Sequence, residues 1–206
     1  CPKKVLNEYD AGLAKRKSAY VKYAQAVPLK YAIDNNCIFL TKGKCKACEK
    51  FCPTGAVNFE DQKRDVTLKV GAVIIAPGCR AYDPGVYDIY GYKTSPNIVT
   101  SLEFERILAA TGPTGGHVVR PSDNKEPEKI AWIQCVGSRD VRHMNDCSAV
   151  CCMHATKEAI LAHEHYPEFT STIFYMDMRA VGKGFQEYVR RAEREYEVAY
   201  VRARPG

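Results

Sequence analysis

The sequence has 206 residues, of which 46% are apolar and 26% charged, a composition typical of a globular protein with one domain or two small ones. It contains no run of about 18 to 20 apolar residues and no signal peptide, so we expect a soluble, cytoplasmic protein without a membrane span. The formal charge of +6 comes from basic residues interleaved with acidic ones, which argues against a nucleic-acid partner. Because the chain begins with Cys1 and ends with Pro205 and Gly206 directly after a predicted strand, we expect an internal fragment of a longer protein.

Nine of the ten cysteines fall into two sets whose spacing favours iron-sulfur clusters over disulfides. The first set contains Cys1, Cys37, Cys45, Cys48 and Cys52. Its last three members form a C-x2-C-x3-C-P run, in which a tight loop presents several thiolates to one [4Fe-4S] cluster. In two-cluster ferredoxins the cysteine before the proline ligates the other cluster, so Cys1 and the proline after it indicate the end of a similar run.

Two groupings of this first set are open. In one, Cys1, Cys37, Cys45 and Cys48 hold one cluster, while Cys52 belongs to a second cluster whose other ligands lie upstream. In the other, Cys37, Cys45, Cys48 and Cys52 form a self-contained site. A structural zinc site fits the spacing less well, and disulfides would need an oxidising compartment.

The segment after the first set is expected to form strands. Residues 53–59 predict a turn into a short apolar strand that keeps water from the cluster. Residues 65–68 and 70–78 predict a hairpin leading into a buried, β-branched strand that ends in a sharp turn at Gly78. That strand is similar to one that ends beside the flavin in flavoproteins with two dinucleotide domains, so Gly78 is a candidate FAD contact. Any buried strand ending at glycine would look the same, and Pro77 removes an amide hydrogen there.

The next stretch predicts structure rather than chemistry. Cys79, the tenth cysteine, follows the predicted strand and is expected to be inert. Residues 100–103 have the form of a helix capping box, and the apolar residues after them predict a short helix that stops at Gly112. Residues 114–128 are rich in Gly, Pro, Ser, Asp and Asn and are expected to form an exposed connection.

From residue 129 onward, strand and helix patterns alternate, which favours a parallel sheet with crossover helices. The predicted elements are, in order, Ile130–Gln134, Ser148–His165, Thr172–Met178, Phe185–Tyr196 and Val198–Val201. A nucleotide-binding version would need a glycine-rich turn after the first strand, and Gly137 alone cannot supply it.

The second cysteine set, Cys135, Cys147, Cys151 and Cys152, takes the place of that turn. One thiol at the strand end, one in the loop and two on the first helical turn could converge on a cluster, whose negative charge the helix N-terminus would favour. The alternative is that adjacent buried cysteines are small core residues.

Several longer runs of the sequence resemble the heterodisulfide reductase A-subunit family. The runs that carry the resemblance are residues 1–5, 43–50, 101–106, 133–140, 151–153 and 174–179. Members of this family are iron-sulfur flavoproteins with a thioredoxin-reductase-like core and ferredoxin-like modules. The resemblance implies an unusual [4Fe-4S] cluster on Cys135, Cys147, Cys151 and Cys152, close to FAD.

Two features depart from the family pattern. The loop from Cys135 to Cys147 is one residue shorter than the pattern, and residues 76–78 read Ala-Pro-Gly where the pattern has Ala-Thr-Gly. The family's glycine-rich FAD fingerprint is expected upstream of residue 1.

The expected fold class is α/β, a ferredoxin-like iron-sulfur segment joined to part of a thioredoxin-reductase-like, Rossmann-type domain. We expect three parts: residues 1–62 with the first cysteine set, 63–128 from the flavoprotein core, and 129–206 as a βαβαβ unit with the second set. About two [4Fe-4S] clusters would lie in this chain, with more in the parent protein.

The resemblance implies an oxidoreductase component, inactive as a fragment, that moves electrons between FAD, clusters, ferredoxin and a heterodisulfide-reducing partner by flavin-based bifurcation. Other partners would be a hydrogenase or similar electron donor. Lys157 lies on the helix that starts at the second cysteine set, and we predict that its ammonium stabilises reduced flavin near N5; a solvent-facing lysine is the alternative. The competing function is a non-catalytic ferredoxin-like relay or a structural metal module.

Overall fold

The computed structural model describes residues 1–62 and 64–205, except for the side chain of Asp88. The chain divides into two compact units, Cys1–Ala81 and a second that begins at Tyr82. The division predicted at residues 62 and 128 stays a prediction. None of the described helices is long and apolar enough to cross a membrane.

The first unit is built from very short elements. Two antiparallel pairs of strands, β1 with β2 and β3 with β4, precede two short helices. Their bounds are β1 Lys4–Leu6, β2 Lys15–Lys17, β3 Ala19–Val21, β4 Tyr31–Ile33, α1 Ile38–Lys42 and α2 Ala47–Lys50. Arg16 joins the two pairs, because its guanidinium lies 2.7 Å from Glu8 and 2.8 Å from Asp34. An arginine fork that bonds two carboxylates fixes geometry that such short strands cannot fix alone.

The predicted hairpin over residues 65–68 and 70–78 is wrong, because the described part of the chain has no strand between Ile33 and Lys129. The apolar side chains of the segment are exposed, with Ile74 at 93% and Ile75 at 83%. A strand needs a partner for its backbone N–H and C=O groups, and no described strand supplies one. Gly78 has a left-handed φ of +73°, but the chain forms no turn at this residue. Residues 53–59 also contain no strand.

The second unit is a three-stranded parallel sheet with crossover helices, as the alternating pattern predicts. The strand order is β5-β6-β7, and Trp132, Ile173 and Tyr200 lie side by side across it. The element bounds are α3 Ser101–Leu108, β5 Lys129–Ile133, α4 Cys151–His165, β6 Thr170–Tyr175, α5 Phe185–Glu195 and β7 Ala199–Arg202. The mixed α/β class is therefore confirmed.

Local signals explain where the helices of the second unit begin and end. Thr100 caps α3 and exchanges the hydrogen bonds of a capping box with Glu103. This helix ends at Leu108, four residues before the predicted stop at Gly112. Helix α4 begins at Cys151 rather than at Ser148, so Cys147 lies in the loop before it. The fully buried Ile160 of α4 and Ile173 of β6 belong to the apolar core of this unit.

Two candidate iron-sulfur sites

Four of the five cysteines in the first set line one pocket. Cys1, Cys37, Cys45 and Cys48 line about 320 Å³ of open space, together with the aromatic rings of Phe39 and Phe59. The two rings pack at 4.5 Å between centroids. Four thiols around an apolar hollow are the donor set that a [4Fe-4S] cluster requires, so the residues fit this group.

The backbone conformation explains why these four cysteines line one pocket. Cys37 stands directly before α1 and is buried, while Gly43 ends that helix with a left-handed φ of +64°. Cys45 and Lys46 also have positive φ values, +104° and +49°, which turn the chain sharply and start α2 with Cys48 on it. Positive φ is uncommon outside glycine and concentrates at functional sites.

Cys52 does not line this pocket, although it belongs to the described residues. Its thiol accepts a hydrogen bond from the Ala56 amide at 3.3 Å and lies 3.5 Å from the Thr54 hydroxyl. These hydrogen bonds, the one with Thr54 first, lower the pKa of Cys52 to about 7. The geometry thus separates Cys52 from the other four cysteines and favours the grouping in which it serves another site.

The second cysteine set lies at the end of β5 and the start of α4. Cys135 follows β5 with a left-handed φ of +60°, and burial first, with the neighbouring Cys152, Cys151 and Cys147 as smaller causes, raises its pKa. Burial raises the pKa of Cys135 and of Cys152, the latter only 5% exposed. The Cys151 sulfur lies 2.7 Å from the Ser148 hydroxyl.

Gly137, the lone glycine of the loop, has a packing role. A Cβ on this residue would lie about 2.5 Å from the ring of Tyr82, and its φ is +73°. The close approach of an aromatic ring therefore requires glycine here, and the residue forms no phosphate cradle.

A positively charged network borders the second set at the ends of the parallel strands. Asp177, just after β6, pairs with Arg139 at 2.8 Å and with Arg202 at 2.9 Å. Its carbonyl oxygen accepts a hydrogen bond from the Cys152 thiol at 3.6 Å. Arginines around four thiolates offset the negative charge that a cluster brings, so this donor set also fits a cluster.

Among the described residues, no group of three or more His, Cys, Asp or Glu side chains stands ready to hold a metal ion. The fit of both cysteine sets therefore rests on the chemistry of their four thiol donors, and in the first unit also on the shared pocket.

The two candidate flavin contacts have different surroundings. Lys157 is on α4, and its ammonium lies 2.7 Å from the Glu105 carboxylate of α3. Gly78 and Cys79 are exposed in the segment without regular structure. The structure therefore gives Lys157 a carboxylate partner and leaves Gly78 unpacked.

Sequence reasoning missed Glu158, whose side chain is completely buried on α4. Its Oε2 accepts a hydrogen bond from the Trp132 indole at 3.0 Å, while Oε1 completes no hydrogen bond and lies 3.4 Å from Nε2 of His154. Burial raises the pKa of Glu158 to about 8. The signal in the sequence is its position on the helical face that carries Ala155 and Ala162, both buried.

Comparison with known proteins finds curated relatives of the chain. No family model matches the chain. The iron-sulfur A subunit of CoB–CoM heterodisulfide reductase from Methanocaldococcus jannaschii is 46% identical over 207 residues, which cover 100% of this chain and 31% of that protein. Its counterpart from Methanopyrus kandleri, the second of two in that organism, is 47% identical over 206 residues with the same coverage.

A more distant relative shows the same relation. The A subunit of the ferredoxin/F420H2-dependent CoB–CoM heterodisulfide reductase from Methanosarcina acetivorans is 36% identical over 206 residues, covering 99% of this chain and 25% of that protein. The chain thus spans about a third or less of the curated relatives it matches. Over its whole length the chain is therefore similar to a part of the iron-sulfur A subunits of CoB–CoM heterodisulfide reductase.

Proposed function

We propose that this chain is an electron-transfer segment of a heterodisulfide reductase A-type protein, carrying two [4Fe-4S] clusters in a ferredoxin-like part and a Rossmann-type part. The observation that carries the proposal is the pocket lined by Cys1, Cys37, Cys45 and Cys48. Relatives named as iron-sulfur subunits match the whole chain and support it. The parent protein would hold FAD and work with ferredoxin, a hydrogenase-type donor and a heterodisulfide-reducing partner.

When bound, clusters exchange single electrons and a flavin exchanges two, so that a pair of electrons can be divided between two routes. The chain's own residues would hold the clusters and line their sites. Cys1, Cys37, Cys45 and Cys48 would supply thiolates, and the rings of Phe39 and Phe59 line the same pocket. The second set would hold its cluster after the end of β5 and at the start of α4. Arg139 and Arg202 both pair with Asp177 near this place.

Metal analysis tests this proposal. The full-length protein, reconstituted anaerobically, should gain roughly eight irons with matching sulfide from these two sets. The gain is measured as the difference from a variant in which Cys48 and Cys151 are both replaced by serine. A difference of roughly four irons would leave one set structural, and zinc without sulfide would contradict the electron-transfer function.

Lys157 is proposed to stabilise reduced flavin near N5, in the parent protein. Its charge is available to a flavin only in competition with Glu105, whose pKa it lowers through their hydrogen bond. Lys157→Ala should lower the flavin potential, while Lys183→Ala, an exposed loop lysine, should not. An unchanged potential in Lys157→Ala would contradict this role.

A relay without flavin contact is the second candidate, and the exposure of Gly78 favours it. Flavin content of the full-length protein separates the two. A protein with both clusters and no flavin would identify the chain as part of a relay.

A further inference from the structure

The loop between β5 and α4 contains a buried cationic donor without an acceptor. The side chain of Arg139 is 27% exposed, but its Nη1 atom is buried and has no hydrogen-bond partner. Leaving a buried donor unpaired is costly, most of all on a charged group, and such atoms mark places where an acceptor binds.

Two contacts fix the direction of this guanidinium. The backbone of Arg139 is left-handed, with φ of +56°, and its N–H donates to the Asp146 carbonyl at 3.2 Å. At the other end, Nη2 lies 2.8 Å from Asp177, which Arg202 holds from its opposite oxygen. A non-glycine residue keeps a left-handed conformation only where its surroundings impose it. The side chain is therefore held in place rather than free to sample solvent.

The same guanidinium borders the second cysteine set. The Cys135 thiol lies close enough to interact with it, but it does not complete a hydrogen bond with Nη1. Asp177, which anchors Arg139, also accepts the hydrogen bond of Cys152 through its carbonyl oxygen. Asp177 thus ties the arginine to Cys152, and the arginine itself lies near Cys135, so a cluster on these thiols would lie near the unpaired nitrogen.

We propose that Arg139 is a cluster-tuning residue, whose Nη1 donates a hydrogen bond to a sulfur atom of the cluster on Cys135, Cys147, Cys151 and Cys152. This inference rests on the proposed function. Reduction adds one negative charge to a cluster that already carries about −2 with its thiolates. A fixed guanidinium stabilises the reduced state more than the oxidised one, and hydrogen bonds to cluster sulfur raise the reduction potential in the same way.

Redox titration of the full-length protein, followed by EPR, tests the proposal. The signal of the second cluster is assigned by its loss in Cys151→Ser. In Arg139→Gln the ratio of reduced to oxidised cluster at a fixed potential should fall about tenfold, which is a shift of about 59 mV for one electron. An exchangeable proton coupled to the reduced cluster in ENDOR spectra should disappear with it.

Arg179→Gln is the matched control. Arg179 lies 4.0 Å from the same Asp177 and is 48% exposed, so its replacement removes an equal charge nearby without removing the fixed donor. Its shift should be smaller, and its exchangeable proton should remain. Equal shifts in both variants would overturn a directed hydrogen bond, because net charge alone would then set the potential.

Arg139→Lys covers the case in which Arg139→Gln fails to bind the cluster. Lysine keeps the charge but loses the planar fork that reaches Asp177 and the cluster together. A loaded lysine variant with an intermediate potential supports the proposal, and one with the wild-type potential overturns it. Loss of the cluster from both variants would make Arg139 part of the site's architecture and overturn a tuning role. Wild-type protein without iron at the second set would instead refute the proposed function.

Discussion

The two units carry their candidate cluster ligands on very different frameworks. In the first unit, strands of three residues and helices of four or five surround the cysteines, and Ala26 and Cys37 are its only buried apolar residues among those described. In the second unit, a parallel sheet and helices of 15 and 11 residues form an apolar core before the cysteines are considered. Under the proposed function, a cluster would stabilise the first unit, whereas the second unit has its own core and would position a cluster.

Removing iron should produce the largest difference in amide exchange between the two units. In the full-length protein, anaerobic chelation should raise amide exchange in residues 1–62 by more than about a hundredfold, because metal binding and folding are coupled where the core is small. Amides of β5, β6 and α4 should retain most of their protection. Hydrogen exchange with mass spectrometry measures both regions at once. Equal loss of protection in the two regions would break the comparison.

Substituting single cysteines should sharpen the picture of the first unit. Cys48→Ser removes a pocket thiol and should abolish the EPR signal of the pocket cluster. Cys52→Ser should leave that signal in place, because Cys52 lies outside the pocket. If Cys52→Ser also abolishes it, the self-contained grouping of Cys37, Cys45, Cys48 and Cys52 is right.

Glu158 makes the stability of the second unit depend on pH. Burial raises the pKa of its carboxyl from 4.5 to about 8, so between these values the folded state holds a proton that the unfolded state has released. Stability therefore falls as pH rises through this window and levels off above about pH 8. Glu158→Gln keeps an acceptor for Trp132 and should be more stable than wild type by about 2 to 4 kcal/mol at pH 8.5, with little difference at pH 4.5.

Thermal unfolding of the full-length protein at both pH values measures this difference. Glu187→Gln, at an exposed position of α5, is the control and should show no such dependence. A constant difference between wild type and Glu158→Gln across the range would show that the buried carboxyl does not titrate on unfolding.

The capping box of α3 should have the smallest effect. Thr100→Ala removes the hydrogen bond to the Glu103 amide and should cost about 1 kcal/mol of unfolding free energy. Urea denaturation measures the loss, and the iron content should not change. A lower iron content at the second set would mean that cluster binding there depends on the stability of α3, contrary to the comparison.

Local patterns predicted much of this molecule. The helix over Ser101–Leu108 follows from its capping box, and the parallel sheet follows from the alternation of strands and helices. Cys1 joins a pocket with cysteines 36 to 47 positions away, which the Cys-Pro run indicated. These features depend on residue order along the chain, which sequence reasoning can use directly.

Other features depend on tertiary surroundings and escaped prediction. The segment 70–78 has the composition of a buried strand, yet burial needs partner strands that the described residues do not provide. Glu158, four residues after His154, has the spacing of a solvent-facing pair. Arg139 is one of many arginines in the sequence, and only the fold shows that Asp177 fixes it beside Cys135.

The exposed segment 70–76 also has a practical consequence for handling the protein. Its residues Val70, Val73, Ile74 and Ile75 are β-forming and largely exposed, and only proline at position 77 interrupts the run. Short uncharged stretches of this kind pair with copies of themselves when nothing covers them. Preparations of the isolated chain should therefore aggregate through this segment, and a lysine at position 74 should keep them monomeric without disturbing either cysteine set.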